Sequence, residues 1–113
     1  MKLSEIAEMI DTIGIPFTYD QWAEDEAPDL PYIAYYYPRT RGEYADDQNF
    51  IQINGLNIEL YTEHKNFELE NQIIRMLNEN MIPFDSSEQY LTSEKMYEVL
   101  FECEIPIEEE EED

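Results

Sequence analysis

The side chains able to do covalent or metal chemistry are few in this chain, and their spacing does not bring them together. There is one histidine, His64, one cysteine, Cys103, and three glycines, Gly14, Gly42 and Gly55. His64 stands in TEHKN, a polar stretch just ahead of a helical pattern, where a solvated residue is expected. Cys103 falls on the apolar phase of a strand pattern, which predicts a buried thiol behaving as a small hydrophobe. A single cysteine excludes an internal disulfide and a thiolate metal cluster. No GxSxG nucleophile motif occurs, and three scattered glycines cannot build a phosphate-cradling loop. The acidic clusters Glu24-Asp25-Glu26 and Asp46-Asp47 lack the spacing of a calcium loop and read as solvated loops. Carboxylate pairs recur all along so acidic a chain, so no pair marks an acid–base site. The expectation is a protein that is not an enzyme and carries no cofactor or metal.

Two features do call for a functional reading. The first is PYIAYYYP, Pro31 to Pro38. A strand with one wet face alternates apolar and polar residues. Here Tyr32, Ala34 and Tyr36 point one way and Ile33, Tyr35 and Tyr37 the other, and both sets are apolar or aromatic. Either an irregular loop covers the second face, or a partner does. Tyrosine suits a partner surface, since it combines a large contact area with a hydroxyl handle. The second feature is Arg39 and Arg41, two of only six basic residues, placed directly after the tyrosine strand. They either balance Glu43, Asp46 and Asp47 nearby or form a socket for an acidic neighbour, including another copy of the chain. Tyr35, Tyr37, Arg39 and Arg41 are therefore the candidate interface residues.

The elements that must position them follow from periodicity. Leu3, Ile6, Met9, Ile10 and Ile13 form a helical stripe, ended by Gly14 and Pro16. Phe17 to Tyr19 reads as a short strand. Residues 20–31 are polar with two prolines and read as a loop pinned by Trp22. The tyrosine strand runs over 32–37, and RTRGEYADDQN has the composition of a long exposed connection. FIQINGLNIELYT is strand-like but changes phase at Asn54-Gly55. A hairpin there would leave a very short arm, so a bulge in one bent strand is preferred. Asn66 predicts the cap of a second helix over 67–80, with Glu68 and Glu70 in its first turn. IPFD and QYLTS read as short extended pieces around SSE. Tyr97, Val99, Phe101, Cys103 and Ile105 form the inward phase of the last strand. The fold class is α+β, a mainly antiparallel sheet with two helices on one face, in the order α-β-β-β-α-β-β. One domain is expected over 1–105, with 106–113 an acidic disordered tail.

The whole chain has 113 residues, 42% of them hydrophobic and 13% aromatic, which suits one folded domain with a modest core. Its formal net charge is −22; setting aside the six carboxylates of Glu108 to Asp113 leaves −16. Phosphate backbones need lysine and arginine to replace their counterions, so stable nucleic-acid binding is disfavoured, as is an anionic membrane surface. No stretch approaches the length of a membrane span and the start is not a signal peptide, so a cytosolic setting is expected.

IPFTYDQW, LPYIAYYYP, INGLNIELYTEHKNFELE and SEKMYEVLFECEI, taken in order over about residues 15–105, resemble the tail-terminator (tail-completion, minor tail protein) family of siphophages and prophages of Gram-positive bacteria. The resemblance implies helices on a mainly antiparallel sheet and assembly into a ring, a hexamer, at the head–tail junction of the virion, after assembly in the host cytoplasm. Its partners would be other copies of itself, the tail-tube protein and the head connector or completion protein. The ring would cap the tube and stop its polymerisation, and an acidic lumen would let DNA pass without sticking. Two alternatives are a head-completion or connector protein on the other side of the joint, and an acidic DNA mimic that occupies a host DNA-binding enzyme.

Overall fold

Both helical stripes become helices in the computed structural model, which describes residues 1–38 and 53–107. The first, α1, spans Leu3–Asp11 and buries Ile6, Met9 and Ile10. Its first turn is closed by Glu5, whose carboxylate accepts a hydrogen bond from the Lys2 backbone N–H at 2.8 Å. The helix stops two residues short of the Ile13 end of the stripe, and Gly14 then takes the left-handed conformation at φ +85°. The second, α2, spans Phe67–Glu79 and buries Ile73, Met76 and Leu77. Asn66 caps it as its spacing predicts, its side-chain oxygen accepting from the Leu69 N–H at 3.0 Å. Asn80 closes the other end, donating from its side-chain amide to the Met76 carbonyl at 2.8 Å.

Five strands form one sheet: β1 Phe17–Tyr19, β2 Tyr32–Tyr36, β3 Ile53–Thr62, β4 Phe84–Leu91 and β5 Met96–Ile107, in the spatial order β1-β2-β3-β5-β4. The order along the chain is α-β-β-β-α-β-β, an α+β fold with a mainly antiparallel sheet, as the periodicities predict. The centre is the long β3–β5 pair, where Leu56, Ile58 and Leu60 lie opposite Cys103, Phe101 and Val99. All six are buried, and with Ile33 they form one core with the apolar stripes of α1 and α2. The helices thus cover one face of the sheet. The register of β3 against β5 shifts between Ile53 and Gly55, so Asn54-Gly55 marks an irregularity within one strand and not a hairpin.

Three expectations need correction. β1 and β2 pair parallel, with Phe17 opposite Ile33 and Tyr19 opposite Tyr35, whereas antiparallel neighbours are the economical choice from sequence. β4 is one eight-residue strand, not two short pieces around SSE. It pairs with β5 from Phe84–Cys103 to Leu91–Met96, and Lys95 at φ +54° turns the chain between them. As an edge strand it packs few side chains, so its sequence carries almost no apolar alternation. Finally, β5 continues through Pro106 to Ile107, two residues past the expected domain boundary. Ile107 stays on the apolar phase, pairs with Ile53 and is buried, which holds the strand together beyond the proline. The expected acidic tail from Glu108 onward lies outside the described residues.

Candidate functional site

Parallel pairing of β1 with β2 forces the chain to travel back from the end of one strand to the start of the other. Residues 20–31 make that return without a helix, across the sheet face opposite α1 and α2. The loop leaves β1 through Asp20 at φ +70°, whose N–H donates to the Tyr35 carbonyl at 2.7 Å. It then crosses with Trp22 beside Tyr32, the rings edge to face at 5.9 Å. Between the loop and the sheet lies a cleft of about 430 Å³. Trp22, Tyr32, Tyr36, Tyr61, Glu59 and Glu94 are the lining side chains that give it its chemistry.

The sheet face under the loop is built from the residues that alternate with the core. Tyr32, Ala34 and Tyr36 of β2 lie opposite Tyr61, Glu59 and Asn57 of β3, which lie in turn opposite Glu98, Leu100 and Glu102 of β5. Polar atoms on this face bond to one another. The Tyr61 hydroxyl lies 2.8 Å from Glu98 Oε2 and 3.1 Å from Glu59 Oε1. It has one proton for two carboxylates and serves one at a time. Burial, followed by the hydrogen bond to Glu98 and the charge of Glu59, pushes this hydroxyl far above the usual tyrosine range. Glu98 also accepts from Gln89 Nε2 at 2.8 Å, and Asn57 Nδ2 donates to the Tyr36 hydroxyl at 3.0 Å. Tyr32 stacks near Tyr61 at 5.3 Å, and burial, with the charge of Glu94, raises its hydroxyl pKa. The indole Nε1 of Trp22 is buried with no hydrogen-bond partner among the described residues.

The four sequence candidates fare differently. Tyr35 and Tyr37, expected to meet a subunit, are buried by their own chain, at 8% and 6% exposure. Their phase of the strand packs into the core of the same chain. Phe17 and Tyr19 of β1 complete the cover, with Tyr19 at 5.3 Å from Tyr35 and 5.4 Å from Tyr37. The other phase, Tyr32 and Tyr36, reaches the cleft. Arg39 and Arg41 lie outside the described residues. The irregular loop is thus what covers the second face of PYIAYYYP, and it covers it incompletely.

His64 is exposed, its Nε2 lying 3.7 Å from Oε1 of Glu63, which is also exposed. Cys103 is buried, and burial pushes its thiol up to about 12. Among the described residues no group of three or more His, Cys, Asp or Glu is placed to hold a metal ion, and no helix is long and apolar enough to cross a membrane. The cleft residues from β3 and the turn, Glu59, Tyr61 and Glu94, escape sequence reasoning because they converge only through the sheet register. One signal was available: a tryptophan in an otherwise polar loop must rest on something. No protein-family model, curated protein or solved structure matches this chain.

Proposed function

We propose that this chain is a structural protein of a phage tail, a tail terminator that assembles into a ring on the tail tube, ends its polymerisation and joins it to the head connector. The observation that carries the reading is the make-up of the open sheet face. The sheet face away from the helices gathers tyrosines, a tryptophan and carboxylates into a cleft, with neither the histidine nor the cysteine beside it. The α+β architecture is the one that the sequence resemblance implies, and it supports the assignment. The charge of −22 fits a wall past which DNA slides without adhering, because such a wall offers phosphates few cations.

Electron microscopy of particles assembled without the protein tests the assignment. Tails of irregular and excessive length are the expected result, since an uncapped tube keeps growing. Free tails of normal length would overturn it in favour of a head-completion role. Recovery of a host restriction or repair enzyme as the bound partner would overturn it in favour of DNA mimicry.

A further inference from the structure

We infer that the outer edge of β4 is an interface between two copies of this chain, each β4 pairing antiparallel with the other about a two-fold axis through Ser87. The inference does not depend on the tail assignment, since a two-fold pair neither builds nor closes a ring. The backbone is the first argument. β4 pairs with β5 without a register shift from Phe84–Cys103 to Leu91–Met96, and among the described residues it ends the sheet. The Glu104 N–H donates to the Pro83 carbonyl at 3.0 Å, which fixes the alternation. Asp85, Ser87 and Gln89 therefore turn their backbone groups to β5, while Phe84, Ser86, Glu88 and Tyr90 turn theirs outward. Every residue from Asp85 to Tyr90 is exposed, so the strand meets solvent on both faces as well as along its edge. Its sequence, FDSSEQYL, holds neither the lysine nor the proline that commonly keeps such an edge single.

Symmetry and side-chain chemistry select the register. A two-fold axis normal to the sheet keeps both helix layers on one side, so outward residues must face outward residues. Centring the pair on Ser87 sets Phe84 against Tyr90 of the second copy and Ser86 against Glu88 of the second copy, each pair exchanging both N–H···O bonds. Asp85 then faces Gln89 of the second copy. Gln89 Nε2 gives one N–H to Glu98 and carries another for that carboxylate. Glu88 keeps its ion pair with Lys65, and no carboxylate faces a carboxylate. A centre on Glu88 would oppose that residue to itself, and a centre on Ser86 would leave Tyr90 outside the paired stretch. Tyr90 is 48% exposed beside Tyr97, and Phe84 packs on Phe101. The pairing joins these two aromatic pairs on the helix side and covers Tyr90.

Sedimentation equilibrium at physiological ionic strength, where charges more than about 8 Å apart are screened, should show the chain in equilibrium with its dimer. Ser86→Pro deletes an outward N–H and no bond to β5, so it should keep the parent's circular dichroism and dimerise at least ten-fold more weakly. Cysteine at the axis reads the register itself. Ser87 and its copy form a non-hydrogen-bonded pair with Cα atoms about 4.5 Å apart, within reach of a disulfide. Cys103 is buried, so an introduced cysteine is the accessible thiol. Ser87→Cys should give a disulfide-linked dimer under diamide at least ten-fold faster than Ser86→Cys, which faces Glu88 of the second copy. The two cysteine variants decide the matter if the proline variant does not fold. The inference falls if the parent stays a single chain up to about 1 mM, if folded Ser86→Pro associates as the parent does, or if both cysteine variants cross-link equally. A ring that survives Ser86→Pro would overturn this inference and leave the tail assignment standing.

Discussion

Tyr61 holds one proton between Glu59 and Glu98, and this geometry has a consequence at high pH. Ionising its hydroxyl in the folded chain would place a third negative charge among two carboxylates already sharing a half-buried site. Burial likewise raises Tyr37, with the neighbouring hydroxyls of Tyr35 and Tyr19 adding to it, and burial alone raises Cys103. All three groups hold their protons more tightly folded than unfolded, so the folded state binds more protons wherever the unfolded chain has begun to lose them. Stability is therefore intact below the ordinary pKa values of 9.0 for the thiol and 10.0 for tyrosine, and falls as pH rises beyond them. Urea midpoints measured between about pH 8 and 11 should decline steadily. Tyr61→Phe and Cys103→Ala should each flatten part of that decline. In the folded protein, tyrosinate absorbance should lag behind the value for nine free tyrosines until unfolding releases the rest.

At the scale of elements, the caps and turns make separable contributions. Asn66→Ala removes the acceptor for the Leu69 N–H and should lower stability by about 1 kcal/mol in chemical denaturation. The two glycines described in the structure are predicted to behave oppositely. Gly14 sits at φ +85°, so Gly14→Ala strains the backbone and should cost about 1 kcal/mol even though no atom crowds the added methyl. Gly55 has no such φ, and a methyl there would meet the Pro38 ring at 3.7 Å and the Cys103 carbonyl at 3.9 Å, which are ordinary contacts. Gly55→Ala should fold with stability within about 0.5 kcal/mol of the parent. A cost comparable to that at Gly14 would show that the irregularity in β3 requires glycine after all.

These elements differ in how legible they were. The helices announce themselves because burial of one stripe imposes a 3.6-residue period, and Asn66 stands where a cap must. β5 is equally plain, since its Val99, Phe101, Cys103 and Ile105 face the core while Glu98, Glu102 and Glu104 do not. β4 was hidden because an edge strand with polar neighbours need not alternate. The parallel pairing of β1 was hidden because three residues carry no record of their partner's direction. The cleft was hidden for a related reason. It joins residues 20–36, 59–61 and 94–96 through a register that no local pattern encodes. Tyr35 and Tyr37 read as interface candidates because a two-sided aromatic strand does not say which side is inward.

At the scale of the whole molecule, net charge governs non-specific aggregation. The chain carries 28 acidic and six basic residues, and its isoelectric point is about 4.1. Near neutral pH like charge opposes non-specific aggregation, whereas near pH 4 that repulsion vanishes and aggregation is favoured. Turbidity should rise sharply as pH approaches the isoelectric point and clear again on return to neutrality. A protein that stays dispersed through that range would show that charge repulsion is not what keeps it in solution.

The sheet is unevenly fastened. β3 and β5 are held to each other along nearly their whole length, whereas β1 is attached by only three paired residues, Phe17, Thr18 and Tyr19, to the rim of β2. Opening that rim leaves the β3–β5 centre untouched, so its amides should exchange with solvent long before those of Ile58 or Phe101. Such an opening uncovers a bare strand edge and the rings of Tyr35 and Tyr37 together. Two molecules opened in this way could trade their first strands, each filling the gap in the other. A reciprocal exchange of that kind reuses contacts already present in the single chain and needs no new surface.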